Sequence, residues 1–173
     1  MSTPISLAGA AAGAVSALIF GGDVGEAAAR GAVWSGTAGA VGGAIAGTAA
    51  DQMEAQQAQI EAQKELAALR ARIGDDAFEG LGALAECKHE VALAYARTAA
   101  RSANPAYAGA GAWLEALTYV DAGEPEKADA VYPVIVERDA ETDTVEDAAA
   151  RTRDALETIR DFREKEGLSR TCG

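Results

Sequence analysis

Three successive patterns of apolar and polar positions divide the chain, and each predicts a different element. From Ile5 to Ala50 nearly every residue is Gly, Ala, Val, Ile, Leu, Ser or Thr, and the only charges are Asp23, Glu26 and Arg30. Ser2-Thr3-Pro4 forms a helix start, Ile5 to Phe20 an apolar arm, and Gly21-Gly22-Asp23 a turn into a second arm from Val24 to Ala50. The prediction is a helical hairpin. From Asp51 the composition shifts to Gln, Glu, Lys, Arg and Ala, with no Gly or Pro before Arg72, so the second arm is expected to run on as a long connecting helix. Its thin apolar stripe of Met53, Ile60 and Leu66 to Leu69 reads either as an oligomer seam or stalk, or as a solvated helix in weak contact with the domain that follows.

After Gly74-Asp75-Asp76 the periodicity becomes that of short amphipathic helices, expected at 76–87, 89–102, 106–121, 125–138 and 143–166. Asn104-Pro105, the segment Asp121 to Pro125, and Asp139 to Thr142 separate them. Pro125 suits a first helical turn, and Asp143 with Glu146 has the form of a capping box. With no alternating strand pattern, the fold class is all-α. The boundaries expected are a Gly/Ala-rich hairpin over 1–50, a helical stalk over 51–74 and a helical domain over 75–173.

Glycines at four-residue steps sharpen the reading of the first segment. Gly9 and Gly13, then Gly31, Ser35, Gly39, Gly43 and Gly47, fall on one face of each arm. In water an interior Gly costs roughly 0.5–1 kcal/mol relative to Ala, and small side chains bury little area. In a bilayer no water competes for the backbone, and small residues let helices approach closely. The uncharged stretch Gly31 to Ala50 spans roughly 30 Å as a helix, just enough to cross; the first arm is marginal. These seven positions are the expected oligomerisation face, and residues 5–50 the expected contact with membrane lipid.

A formal net charge of −12 and a pI near 4.5 disfavour nucleic acid and anionic lipid surfaces, both of which need clustered Lys and Arg. Aromatics at 5% argue against a large globular core. The residues before Ile5 carry no Lys or Arg, so no cleavable secretory signal is expected; either Leu7 to Phe20 is an uncleaved signal-anchor, or the N-terminus is trimmed, or the true start lies upstream of Met1. Cys87 and Cys172 lack the C-x-x-C spacing of zinc or redox motifs. Either they form a disulfide, which would place the C-terminal part in an oxidising compartment, or they are unrelated thiols, one buried and one on a frayed tail.

No catalytic constellation emerges. His89, the single histidine, lies two residues from Cys87, a spacing that points the side chains apart on a helix. Soft ligands are too few for a predicted zinc site, Asp75, Asp76 and Glu79 read as helix N-terminal acids, and the Gly-rich segment lacks the Gly-Lys-Ser/Thr of a phosphate loop. The expectation is a protein that is not an enzyme, with no cofactor and no metal.

Two resemblances add to this reading. Ala116, Tyr119, Gly123, Ala128 and Tyr132 fall at intervals that resemble a tetratricopeptide repeat over 106–140, with a degenerate copy over 76–105. That resemblance implies a concave helical surface, near Tyr95, Tyr107, Trp113 and Tyr119, that takes an unknown protein partner. Ala8 to Gly13, Phe20 to Asp23 and Ala38 to Gly47 resemble the two-helix glycine-zipper domains of bacterial cell-envelope proteins, without the lipidated Cys of the lipoprotein members. That likeness implies membrane association and homo-oligomerisation, with the C-terminal domain in the periplasm. The function expected is a structural or scaffolding protein of the envelope. The alternatives are a pore- or channel-forming protein and an accessory subunit of a larger membrane complex.

Overall fold

The computed structural model describes residues 67–172, together with Gln57, Ile60, Gln63 and Lys64. The glycine positions Gly9 to Gly47, the hairpin over 1–50 and half of the 51–74 stalk lie outside the described residues. Among those described, all regular structure is helical, and no helix is long and apolar enough to cross a membrane.

Residues 67–73 are helical and lead to Gly74, whose φ of 84° breaks the helix before α1 (Asp75–Ala85). The Tyr107 ring lies against Gly74, where a Cβ would meet it at 2.9 Å. Five helices follow: α2 (His89–Ala100), α3 (Pro105–Asp121), α4 (Pro125–Asp129), α5 (Tyr132–Arg138) and α6 (Val145–Lys165). Helix α3 is the hub, touching each of the other five. Its composition explains this role, because Ala108, Ala110, Gly111, Trp113, Leu114 and Leu117 are buried on several sides of the helix. Leu69 and Ile73 are buried with them, so the hydrophobic core begins upstream of Gly74, whereas Ile60 is exposed.

Helix α2 crosses α3 at very short range. Ala92, Ala96 and Ala99 are buried on α2, and a Cβ at Gly111 would lie 2.3 Å from the Ala100 backbone nitrogen and 2.7 Å from the Ala96 carbonyl oxygen. Backbone atoms cannot yield as a flexible side chain can, so any larger residue must separate the helices. Gly111→Ala is expected to cost about 1–3 kcal/mol by overpacking. Gly109, on the same helix with nothing within 4 Å of its Cβ position, should instead gain roughly 0.5–1 kcal/mol on the same change. Urea midpoints of the two variants moving in opposite directions would check both.

Two sequence expectations are corrected. The helix expected over 125–138 is split at Ala130 and Val131 into α4 and α5. Pro133 has no N–H to donate, and its ring would clash with the Asp129 carbonyl in a continuous helix. The capping box is shifted by one: Thr144, rather than Asp143, caps α6, and its hydroxyl accepts from the Asp147 amide at 3.1 Å. Asn104 caps α3 in the same manner, accepting from the Ala106 amide at 3.0 Å with Pro105 in the first turn.

Candidate functional site

The ends of helices α1, α3 and α6, the start of α2 and the C-terminal tail converge on one buried ionic cluster. Helices α3 and α6 each stop in a left-handed glycine, Gly123 at φ 76° and Gly167 at φ 72°. In both, the following amide reaches back to the carbonyl five residues earlier, Glu124 to Tyr119 at 2.8 Å and Leu168 to Arg163 at 2.8 Å. Helix α1 ends in the same motif, with the Lys88 amide donating to the Ala83 carbonyl at 2.9 Å. There the left-handed residue is Cys87, at φ 59°. A non-glycine residue in this region carries a steric cost, and Cys87 is held there by its disulfide to Cys172, with Cα atoms 5.4 Å apart.

This closing motif leaves the Leu84 and Ala85 carbonyls available to further donors, and Arg163 takes both. Its Nη2 donates to Leu84 O at 2.5 Å and its Nε to Ala85 O at 3.1 Å. The same guanidinium grips Asp121 with two bonds, Nη1 to Oδ1 at 3.0 Å and Nη2 to Oδ2 at 2.6 Å. Both side chains are nearly fully buried, at 0% and 1% exposure. His89 Nε2 completes the group, 2.9 Å from Asp121 Oδ2. Burial alone would push the Asp121 carboxyl up, but the bonds and charges of Arg163 and His89 outweigh it and hold it below its ordinary value of 3.8. This pairing also counters the unfavourable placement of a carboxylate at the C-terminal end of a helix.

Cys172 Sγ lies 3.2 Å from Asp121 Oδ2. A disulfide sulfur carries no hydrogen, so in the bonded state this is a contact and not a hydrogen bond. His89, Asp121 and Cys172 place one nitrogen, one oxygen and one sulfur within 4.8 Å of one another.

The four aromatic residues expected on a concave partner surface are engaged within the chain. Trp113 is 1% exposed; its indole N–H donates to Asp139 at 3.1 Å and Arg151 stacks on its ring. Tyr119 is 9% exposed and exchanges hydrogen bonds with Arg97 and Glu115. Tyr107 donates to the Ala71 carbonyl at 3.0 Å, and Tyr95 lies against Gly80. An apolar void of about 10 Å³ beside Trp113, lined by Ile73, Leu81 and Leu114 among others, has room for one water at most. Small-molecule sites run to about 300–1,000 Å³.

Asp121 and Arg163 escaped the sequence reading, although a signal for them exists. Asp121 continues the apolar stripe of Leu114 and Leu117, and Arg163 that of Leu156 and Ile159, each at steps of three and four. Opposite charges standing on two apolar stripes indicate a buried pair. Compared with protein-family models, curated proteins and solved structures, the chain matches none.

Proposed function

We propose that this chain is a non-enzymatic structural protein of a bacterial cell envelope. In this reading the Gly/Ala-rich hairpin assembles copies in or on a membrane, and the helical domain, read as tetratricopeptide-like, projects into the periplasm to hold a protein partner. The observation that carries the proposal is the four-residue glycine spacing from Gly31 to Gly47, a pattern suited to close helix packing through van der Waals contact. The Cys87–Cys172 bond adds support for an oxidising compartment. The buried cluster fits a load-carrying role, since Arg163 and Asp121 direct their polar atoms to partners within the chain.

Gly39→Leu combined with Gly43→Leu is expected to abolish the assembly, because two isobutyl groups on the packing face hold the helices apart. The mass of the detergent-solubilised full chain, wild type against variant, is the measurement. An unchanged mass would sink the glycine-zipper reading.

A further inference from the structure

The disulfide covers a set of metal-ligating side chains drawn from four places in the chain. Cys87 follows α1, His89 opens α2, Asp121 closes α3 and Cys172 lies on the tail. Donor atoms of the last three lie within 4.8 Å of one another, with His89 Nε2 2.9 Å and Cys172 Sγ 3.2 Å from the same oxygen of Asp121. A tetrahedral zinc ion holds its ligands at about 2.0–2.3 Å, which sets donors roughly this far apart. The fourth donor, the Cys87 sulfur, is bonded directly to that of Cys172.

Charge favours the same arrangement. Two thiolates and the Asp121 carboxylate carry three negative charges; a divalent cation and the buried Arg163 guanidinium carry three positive ones. Arg163 is already bonded to Asp121 through two nitrogens, the outer-shell support that orients a ligating carboxylate. Two thiolates, one imidazole and one carboxylate suit zinc rather than calcium or magnesium, which take oxygen ligands.

We propose that, when the Cys87–Cys172 bond is reduced, Cys87, His89, Asp121 and Cys172 bind one zinc ion, so that the disulfide and the metal are alternative occupants of one site. A dithiol supplies two electrons and two protons; the S–S bond breaks to two thiols and the dithiol closes to its own disulfide. Zinc then displaces the two thiol protons to solvent as two Zn–S bonds form. The site is independent of the glycine-zipper reading.

The test uses the full chain, prepared oxidised or reduced with a phosphine that is then removed without air, and titrated with zinc against a chromophoric chelator. The reduced protein should bind one zinc per chain and the oxidised protein none at the same concentration. Cobalt in place of zinc should show thiolate charge transfer. His89→Gln should weaken binding at least 10-fold, and Cys172→Ser should abolish the redox dependence. Circular dichroism on the same samples reads helix content; reduced chain that loses helix and regains it with zinc also supports the site. No zinc on the reduced chain, whether or not it keeps its helix, overturns the proposal. So does equal binding to the oxidised chain, or undiminished affinity in His89→Gln.

Discussion

Asp121→Ala is expected to destabilise the helical domain by about 3–5 kcal/mol, because it strands a buried guanidinium without its counter-charge. Arg163 is 0% exposed, and the carbonyls of Leu84 and Ala85 that remain to it carry no net charge. A loss of that size is a large share of the roughly 5–15 kcal/mol that holds a domain folded, and it should lower the urea midpoint by about 2 M. Replacing both partners, Asp121→Leu with Arg163→Met, should cost less than the single change, since no isolated charge is left behind. A double variant less stable than Asp121→Ala would refute this account of the cluster.

The same pair predicts a pH dependence. The folded-state pKa of Asp121 lies below its ordinary value, so its ionised form is favoured by folding. Its contribution is fully present above the unfolded value of about 3.9 and is lost as pH falls through the folded value. The stability difference between wild type and Asp121→Ala should therefore shrink as pH falls below about 4. Paired urea titrations at pH 6 and pH 3 measure it.

Cutting the Cys87–Cys172 bond is expected to cost a comparable amount. The bond joins residues 85 apart in sequence, and in the chain-entropy picture a closed loop of that length contributes about 4–5 kcal/mol by restricting the unfolded state. Cys172→Ser should lower the melting temperature on the order of 20 °C for a domain of this size. The tail also brings the Arg170 carbonyl to 3.5 Å from Arg163 Nη1 and sets Arg170 against Glu157, Asp161 and Glu164. These ion pairs are exposed and screened, so they cannot replace the covalent tie. A fall below about 1 kcal/mol would show that they suffice.

How far the sequence reached can be seen at particular residues. The helices at 89–102 and 106–121 were legible because Asn104-Pro105 carries both the stop of one and the cap of the next. Pro133 breaks the helix expected over 125–138, but it lies inside a periodic apolar run, and periodicity alone favours one helix there. The tetratricopeptide resemblance implied a partner surface near Trp113 and Tyr119; whether an aromatic faces a partner or its own core depends on what packs over it. Trp113 is covered by the core and by Arg151.

The sequence by itself determined the helical character of the described region and most helix limits, because these rest on contacts within one or two turns. Only the tertiary structure decided that Asp121 meets Arg163 across 42 positions and that Cys172 returns to Cys87 across 85. Local propensity carries no information about which helix ends will meet. Burying a charge is tolerable only where the fold delivers its opposite, and that is settled when the whole core closes.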